Sequence, residues 1–127
     1  LLPAAKHSGV GLLPWSPLGR GVLTGKYRDG APPGSRGASE QLQPFVSRYL
    51  NEQSAGIVEA VATAADGLGV LPAAVALAWV RDRPGVTAPI LGARTAAQLK
   101  ATLSSDELSL PEEIRTALED VSAARLA

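Results

Sequence analysis

Two short, largely apolar segments, each followed by a turn containing glycine and arginine, constrain the fold of this chain more than any other feature. The first covers residues 10–15 and ends at Trp15, and the second covers residues 86–91 and leads directly into Gly92 and Arg94. Such runs are typical of strands buried on both faces of a parallel sheet. Ligands bind at the carboxyl ends of those strands. We therefore expect the two turns to share one phosphate-bearing ligand.

Helical patterns fill most of the chain between and after these segments. Apolar residues recur at helical spacing over residues 57–68, and either Asn51 or Ser54 is suited to cap the start of that helix. Pro72 is well placed in the first turn of a second helix, and Thr95 can cap a third. The order is strand, long loop, two helices, strand and two helices, which predicts an α/β fold with parallel strands. Two strands alone would leave open edges, so this order requires further strands.

Charge and composition exclude several classes of function. The 12 basic and 12 acidic side chains give zero net charge, which does not favour nucleic acid or an anionic membrane surface as a partner. The absence of cysteine excludes disulfides, a thiol nucleophile and thiolate metal sites. No apolar run approaches roughly 18 residues, so we expect a cytoplasmic protein without a spanning helix or a signal peptide.

The first turn combines an aromatic ring, backbone N–H groups and cations. Residues 16–21 include two glycines that tolerate unusual dihedral angles, so successive N–H groups can form a cradle for a phosphate. Arg20 and Lys26 would offset the charge of a pyrophosphate, and Trp15 would offer a face for stacking on a planar ring. Two plainer interpretations stay open, namely a surface turn with solvated cations and an ordinary core position for Trp15.

These residues also carry a family resemblance. Residues 14–21, with residues 23–27 behind them, resemble the seventh-strand motif of aldo-keto reductases. Residues 89–94, followed by Gln98, resemble the eighth strand of that family and its cofactor-binding helix. The resemblance implies an α/β fold, namely the C-terminal portion of a (β/α)8 TIM barrel with two parallel strands and about four helices, as a single unit over residues 1–127.

The resemblance also implies a set of site residues. It places Trp15 against a nicotinamide ring and the turn after it beside the pyrophosphate, with Lys26 folded over it. Arg94 is expected to bind the 2′-phosphate of NADP. The chain has Ala101 where the family often has an acid, and Thr102 where it often has asparagine. The implied cofactor is NADP(H), and its implied binding residues are Trp15, Ser16, Pro17, Leu18, Gly19, Arg20, Lys26, Gly92, Arg94, Gln98 and Thr102.

No catalytic residue is assigned within the chain. The family's catalytic Tyr, Asp, Lys and His come from strands earlier than those that the resemblance covers. Tyr27 and Tyr49 lack the partners that a catalytic phenol needs, and His7 is expected at the surface. A complete barrel needs roughly 250 residues, and this chain of 127 residues begins at Leu1 and contains no methionine. We therefore expect a C-terminal fragment of a longer protein, or a truncated gene model, that does not reduce carbonyls by itself.

Three functions fit these features. The first is NADPH-dependent reduction of aldehydes or ketones, an oxidoreductase activity of which this chain is the cofactor-binding C-terminal part, with a small carbonyl compound as substrate of the full-length parent. The alternative is a truncated or degenerate fragment that binds a nucleotide or a partner chain without turnover. The third is another (β/α)8 enzyme that uses the phosphate site of the last two strands. No nucleic-acid, membrane or metal partner is predicted.

Overall fold

Helices dominate the structure, a computed structural model that describes residues 1–123. Helical segments cover 58% of these residues, so helix packing rather than a sheet forms the core. The α-helices are α1 (Leu2–His7), α2 (Gln43–Ser47), α3 (Glu52–Leu68), α4 (Pro72–Arg81), α5 (Ala96–Leu103) and α6 (Glu112–Ala123). Shorter 3₁₀ turns cover Gly19–Thr24, Arg36–Ala38 and Ser104–Glu107.

The prediction of a partial TIM barrel with two parallel strands is wrong for this structure. The two apolar segments run side by side in parallel, but within the described residues they meet only at two isolated bridges. Those bridges pair Leu12 with Val86 and Trp15 with Ile90. Neither bridge extends into a ladder, and the described residues therefore contain no sheet.

Prolines in both segments explain the missing ladder. The first bridge is closed by the N–H of Leu12, which donates to the Gly85 carbonyl at 3.0 Å, and by the N–H of Thr87, which donates to the Leu12 carbonyl at 2.7 Å. A ladder that continued in this register would next need N–H donors at Pro14 and Pro89, and proline has none. The second bridge is reached with one extra residue in the second segment, as in a β-bulge.

The side chains of the paired segments are also more exposed than those of a strand buried on both faces. Val10, Leu13 and Trp15 are each more than half exposed, and Ile90 is nearly so. Within the described residues no third strand pairs with either segment, so nothing buries these side chains in the way that a complete parallel sheet would.

The main core lies between α3, α4 and α6. Its central cluster consists of Val61, Ala65, Val75, Ala76 and Leu118. Among residues 1–123, Leu77 of α4 is the largest fully buried side chain. Among the described residues no single helix is long and apolar enough to cross a membrane, and α3 and α4 meet that criterion only as a pair bent by 103°.

The helix ends confirm the capping predictions. The side chain of Asn51 accepts a hydrogen bond from the Ser54 N–H at 3.0 Å, so Asn51 is the residue that caps α3. Gly69 ends α3 with φ of 65°, a left-handed conformation that glycine adopts at low cost. Pro72 is the first residue of α4, and the side chain of Thr95 caps α5.

A second, smaller cluster fixes the first 3₁₀ turn and α2 against α3. It consists of Val22, Tyr27, Val46 and Val58. An ion pair reinforces this packing, because the Arg28 guanidinium donates to the Glu59 carboxylate of α3 at 2.6 Å. The segment that follows Trp15 is thereby attached to the helical core.

Arg81 at the end of α4 holds the segment that follows α5. Its guanidinium donates to the carbonyls of Ser105 at 2.6 Å, Asp106 at 3.0 Å and Leu108 at 2.8 Å. A side-chain hydrogen bond to Asp82 raises the pKa of Arg81 above its ordinary value. The charged hydrogen bonds of this guanidinium fix the approach of the chain to α6.

Candidate functional site

The second bridge places the two predicted turns beside each other. Trp15 pairs with Ile90, and the Ile90 N–H donates to the Pro14 carbonyl at 2.9 Å. Because both segments run in the same direction, the first turn (residues 16–21) and the second turn (residues 92–95) leave the pair at the same end. The structure therefore brings together the two turns that carry most of the predicted site residues.

The backbone of the first turn is wound through left-handed conformations. The φ angle is 57° at Ser16 and 59° at Arg20, which is uncommon for residues other than glycine. The N–H of Gly19 donates to the Ser16 carbonyl at 2.9 Å, and that of Gly21 donates to the Leu18 carbonyl at 3.0 Å. Two of the predicted cradle donors are thus used within the turn. Among the described residues, the N–H groups of Ser16 and Leu18 have no hydrogen-bond partner.

The indole of Trp15 lies at the surface next to the first turn. It is 71% exposed, so Trp15 is not part of the core that the structure describes. The guanidinium carbon of Arg20 lies 5.4 Å from the centroid of the Trp15 ring and 5.0 Å from that of the Phe45 ring. Distances within about 6 Å are typical of cation–π contacts. One cation therefore links the indole to Phe45 of α2.

Lys26 folds back over the first turn. A Cβ atom placed on Gly21 would lie 2.7 Å from Cε and 2.8 Å from Nζ of Lys26, so the lysine crosses the backbone at a glycine, where no side chain blocks it. The same ammonium lies 5.1 Å from the centroid of the Tyr27 ring. Its positive charge is therefore held close to the backbone of the first turn.

The second turn is organised by its own helix cap. The side chain of Thr95 accepts from the Gln98 N–H at 3.1 Å, and the side-chain oxygen of Gln98 accepts from the Arg94 N–H at 3.0 Å. The Thr102 hydroxyl donates to the carbonyls of Gln98 and Leu99, each at 2.9 Å. Gln98 and Thr102, both predicted as cofactor contacts, thus satisfy the backbone of α5 in this structure. This pattern resembles a capping box.

Three cations in or near the two turns carry charge that no acid of the described residues neutralises. Within the described residues, Arg20, Lys26 and Arg94 form no ion pair, whereas Arg28 and Arg83 pair with the carboxylates of α3 and α6. An uncompensated guanidinium and ammonium near free N–H groups attract phosphate. An exposed indole beside them suits a planar ring. This donor set fits a phosphate-bearing dinucleotide.

A loop of residues 30–42, called the linking loop, contacts Arg94 of the second turn and Tyr27, which follows the first turn. The Arg94 guanidinium donates to the Gly34 carbonyl at 3.2 Å. The Gly37 N–H donates to the Tyr27 hydroxyl at 3.2 Å, and a Cβ on Gly37 would lie 2.6 Å from the Tyr27 ring. Tyr27 therefore anchors this loop through its hydroxyl and its ring.

Sequence reasoning missed the contributions of Phe45 and Gly34. Phe45 is the single phenylalanine of the chain and follows Pro44. The presence of this one aromatic residue was the only sequence signal for an aromatic contact. A backbone carbonyl such as that of Gly34 gives no signal in a sequence. Among the described residues, no group of three or more His, Asp or Glu side chains could hold a metal ion.

Comparison with known proteins identifies the class to which this fold and site belong. The model of the Aldo/keto reductase family matches residues 1–123. The chain therefore belongs to the aldo/keto reductase family, a family of oxidoreductases that generally uses NAD(P)H. This confirms the resemblance read from residues 14–21 and 89–94, and it excludes a barrel enzyme of another family.

Individual relatives support the same assignment. Protein tas from Escherichia coli (strain K12) is 41% identical over 121 residues, which cover 95% of this chain and 34% of that protein. The uncharacterized oxidoreductase YrpG from Bacillus subtilis (strain 168) is 39% identical, with 95% of this chain and 35% of that protein covered. A probable voltage-gated potassium channel subunit beta from Arabidopsis thaliana is also 39% identical, over 82% of this chain and 32% of that protein. The chain spans about a third of the length of these curated relatives.

Proposed function

We propose that this chain is the cofactor-binding part of an aldo-keto reductase that reduces aldehydes or ketones with NADPH. The observation that carries the proposal is the parallel bridge between Trp15 and Ile90, which puts an exposed indole and the Arg94 guanidinium at the same end of the paired segments. A dinucleotide has a flat ring at one end and, in NADP, a phosphate monoester near the other. The two turns offer a partner for each.

The proposed roles follow from the groups that each turn leaves available. The accessible surface of Trp15 stacks on the nicotinamide ring, and Lys26 with the N–H groups of Ser16 and Leu18 faces the pyrophosphate. Arg94 exchanges its contact with the Gly34 carbonyl for a charged contact with the 2′-phosphate. When bound, the reduced dinucleotide supplies the hydride that a carbonyl carbon accepts. We propose that the substrate is a small carbonyl compound and that the protein acts in the cytoplasm. The zero net charge of the chain does not favour a nucleic-acid or membrane partner.

Binding of NADPH by the chain itself tests this proposal. Calorimetric titration should give a saturable isotherm with a Kd below about 100 μM, inside the usual range for enzymes and their substrates. Trp15→Leu should weaken NADPH and NADH alike, by several-fold, because both carry the same nicotinamide ring. Absence of binding up to roughly 1 mM NADPH would contradict the proposal.

A second candidate is a fragment that binds a nucleotide or a partner chain without turnover. The Tyr27 hydroxyl favours it, because that phenol is occupied by the Gly37 N–H and has no acid–base partner among the described residues. One relative is named as a potassium channel subunit, which is a role in an assembly. If the fragment binds a nucleotide, NADPH affinity does not separate the two candidates, and they then differ in the chemistry of the full-length parent.

We expect the 127-residue chain to show no carbonyl reduction with NADPH. A hydride transfer to a carbonyl needs a positioned proton donor, and no tyrosine or histidine of the described residues has the partners for that role. The measurement is NADPH oxidation at 340 nm with an aliphatic and an aromatic aldehyde. An aldehyde-dependent rate above that of a Trp15→Leu control would refute this expectation and remove the non-catalytic candidate.

A further inference from the structure

Arg20 combines a strained backbone with an unusual side-chain environment. Its φ of 59° and ψ of 25° lie in the left-handed region, where a glycine would fit without strain. Its guanidinium nevertheless reaches two aromatic rings, with Trp15 at 5.4 Å and Phe45 at 5.0 Å from the guanidinium carbon to the ring centroids. The contacts of this side chain therefore offset the strain of its backbone.

Phe45 lies on a well-packed helix, which favours a stable contact with Arg20. It lies on α2, where the next residue, Val46, is 1% exposed and belongs to the second cluster. The adjacent buried side chain fixes the backbone of α2, so the Phe45 ring is held in place while it remains partly exposed. The guanidinium carbon of Arg48 lies 5.9 Å from the centroid of the same ring, but among the described residues Arg48 has no cation–π contact with Trp15.

We infer that Arg20 is a positioning residue that holds the Trp15 indole against α2, rather than a ligand of the pyrophosphate. The delocalised, planar guanidinium can stack on aromatic faces, and a lysine ammonium lacks that plane. The part of the inference that concerns the cofactor rests on the proposed function: with one part of the indole held by Arg20, the accessible remainder is preorganised for the nicotinamide ring. The contacts of the Arg20 guanidinium with the Trp15 and Phe45 rings, called the clamp below, are a property of the chain without ligand.

Nuclear relaxation of the two indole N–H groups tests the clamp directly. The chain has 127 residues and two tryptophans, so both resonances can be resolved and assigned with Trp15→Phe. We expect the order parameter of the Trp15 indole to be near ~0.85 in the wild-type chain and to fall below ~0.6 in Arg20→Ala. Arg20→Gly removes the side chain and the backbone strain together, and should give the same fall in a chain that is no less stable. Trp79 is the internal control, because partial unfolding would lower both order parameters.

Matched variants separate stacking from charge. Arg48→Ala removes a cation from the same Phe45 ring and should leave the Trp15 order parameter at its wild-type value. Arg20→Lys keeps the charge without the planar group and should give a value near that of Arg20→Ala. An unchanged order parameter in Arg20→Ala, or full restoration by Arg20→Lys, would overturn the inference.

Cofactor titrations keep this inference distinct from the proposed function. If Arg20 acts through Trp15, Arg20→Ala and Arg20→Lys should lower NADPH and NADH affinity by the same several-fold factor. If Arg20 were a pyrophosphate ligand, Arg20→Lys would retain most of the affinity, and the inference would fail. If the wild-type chain binds neither dinucleotide, the proposed function fails, while the relaxation result still decides whether the clamp exists.

Discussion

Replacing Arg94 with alanine is expected to weaken NADPH binding about 100-fold, or about 2.7 kcal/mol, while NADH binding changes by less than about threefold. The reason is that only NADPH carries the phosphate monoester that a guanidinium binds with two parallel hydrogen bonds. The contact between Arg94 and the Gly34 carbonyl is lost in both titrations, so it cancels from the ratio of the two effects. Calorimetry with both cofactors on the same preparation measures this ratio.

Two variants control the Arg94 experiment. Lys100→Ala removes an exposed cation from the same helix, and it should leave both affinities unchanged if the effect belongs to position 94. Arg94→Lys keeps the positive charge but lacks the planar, forked set of donors. Its NADPH affinity should therefore fall between those of the wild-type chain and Arg94→Ala. Equal losses for NADPH and NADH in Arg94→Ala would remove Arg94 from the 2′-phosphate.

Replacing Leu77 with alanine is expected to lower the free energy of unfolding by about 3 kcal/mol. Leu77 is 1% exposed and lies on α4, so the shorter side chain leaves a cavity that the surrounding structure fills only in part. Urea unfolding followed by circular dichroism gives the measurement. The dependence of the free energy on urea should stay unchanged, because the surface exposed on unfolding is nearly the same.

Leu103→Ala is the matched control for Leu77→Ala. Leu103 is also a helical leucine, but it is 55% exposed, so its truncation should cost less than about 1 kcal/mol. A loss at position 77 as small as that at position 103 would mean that α4 is not part of a cooperatively packed core.

The ends of α3 and the starts of α4 and α5 could be predicted because their signals are local. Asn51 caps α3 through an N–H three residues away, and Gly69 ends the same helix with its own backbone angle. Thr95 caps α5 in the same way as Asn51, and Pro72 is the first residue of α4, where its missing N–H costs no helical hydrogen bond. The family was equally accessible, since its motifs are continuous stretches of sequence, and the match over residues 1–123 confirms it.

The strands could not be predicted from apolar runs alone. Residues 10–15 and 86–91 have the composition of buried strands, but a ladder also needs N–H groups in register on both segments. Pro14 and Pro89 remove those donors at neighbouring positions of the pair, which became visible only once the first bridge set the register. The contacts of the linking loop were hidden for a different reason. They join residues as far apart as Gly34 and Arg94, so no local pattern contains them.

The extra residue between the two bridges affects how far Arg94 lies from Trp15. Had the first register continued, Trp15 would be level with Pro89, whereas the bulge brings Ile90 to that level. Arg94 is therefore four residues, rather than five, beyond the residue that is level with Trp15, a shift of about 3.3 Å along the segment. The register change beside the two prolines therefore affects the distance between Trp15 and Arg94. That distance limits the length of a molecule that could contact both residues at once.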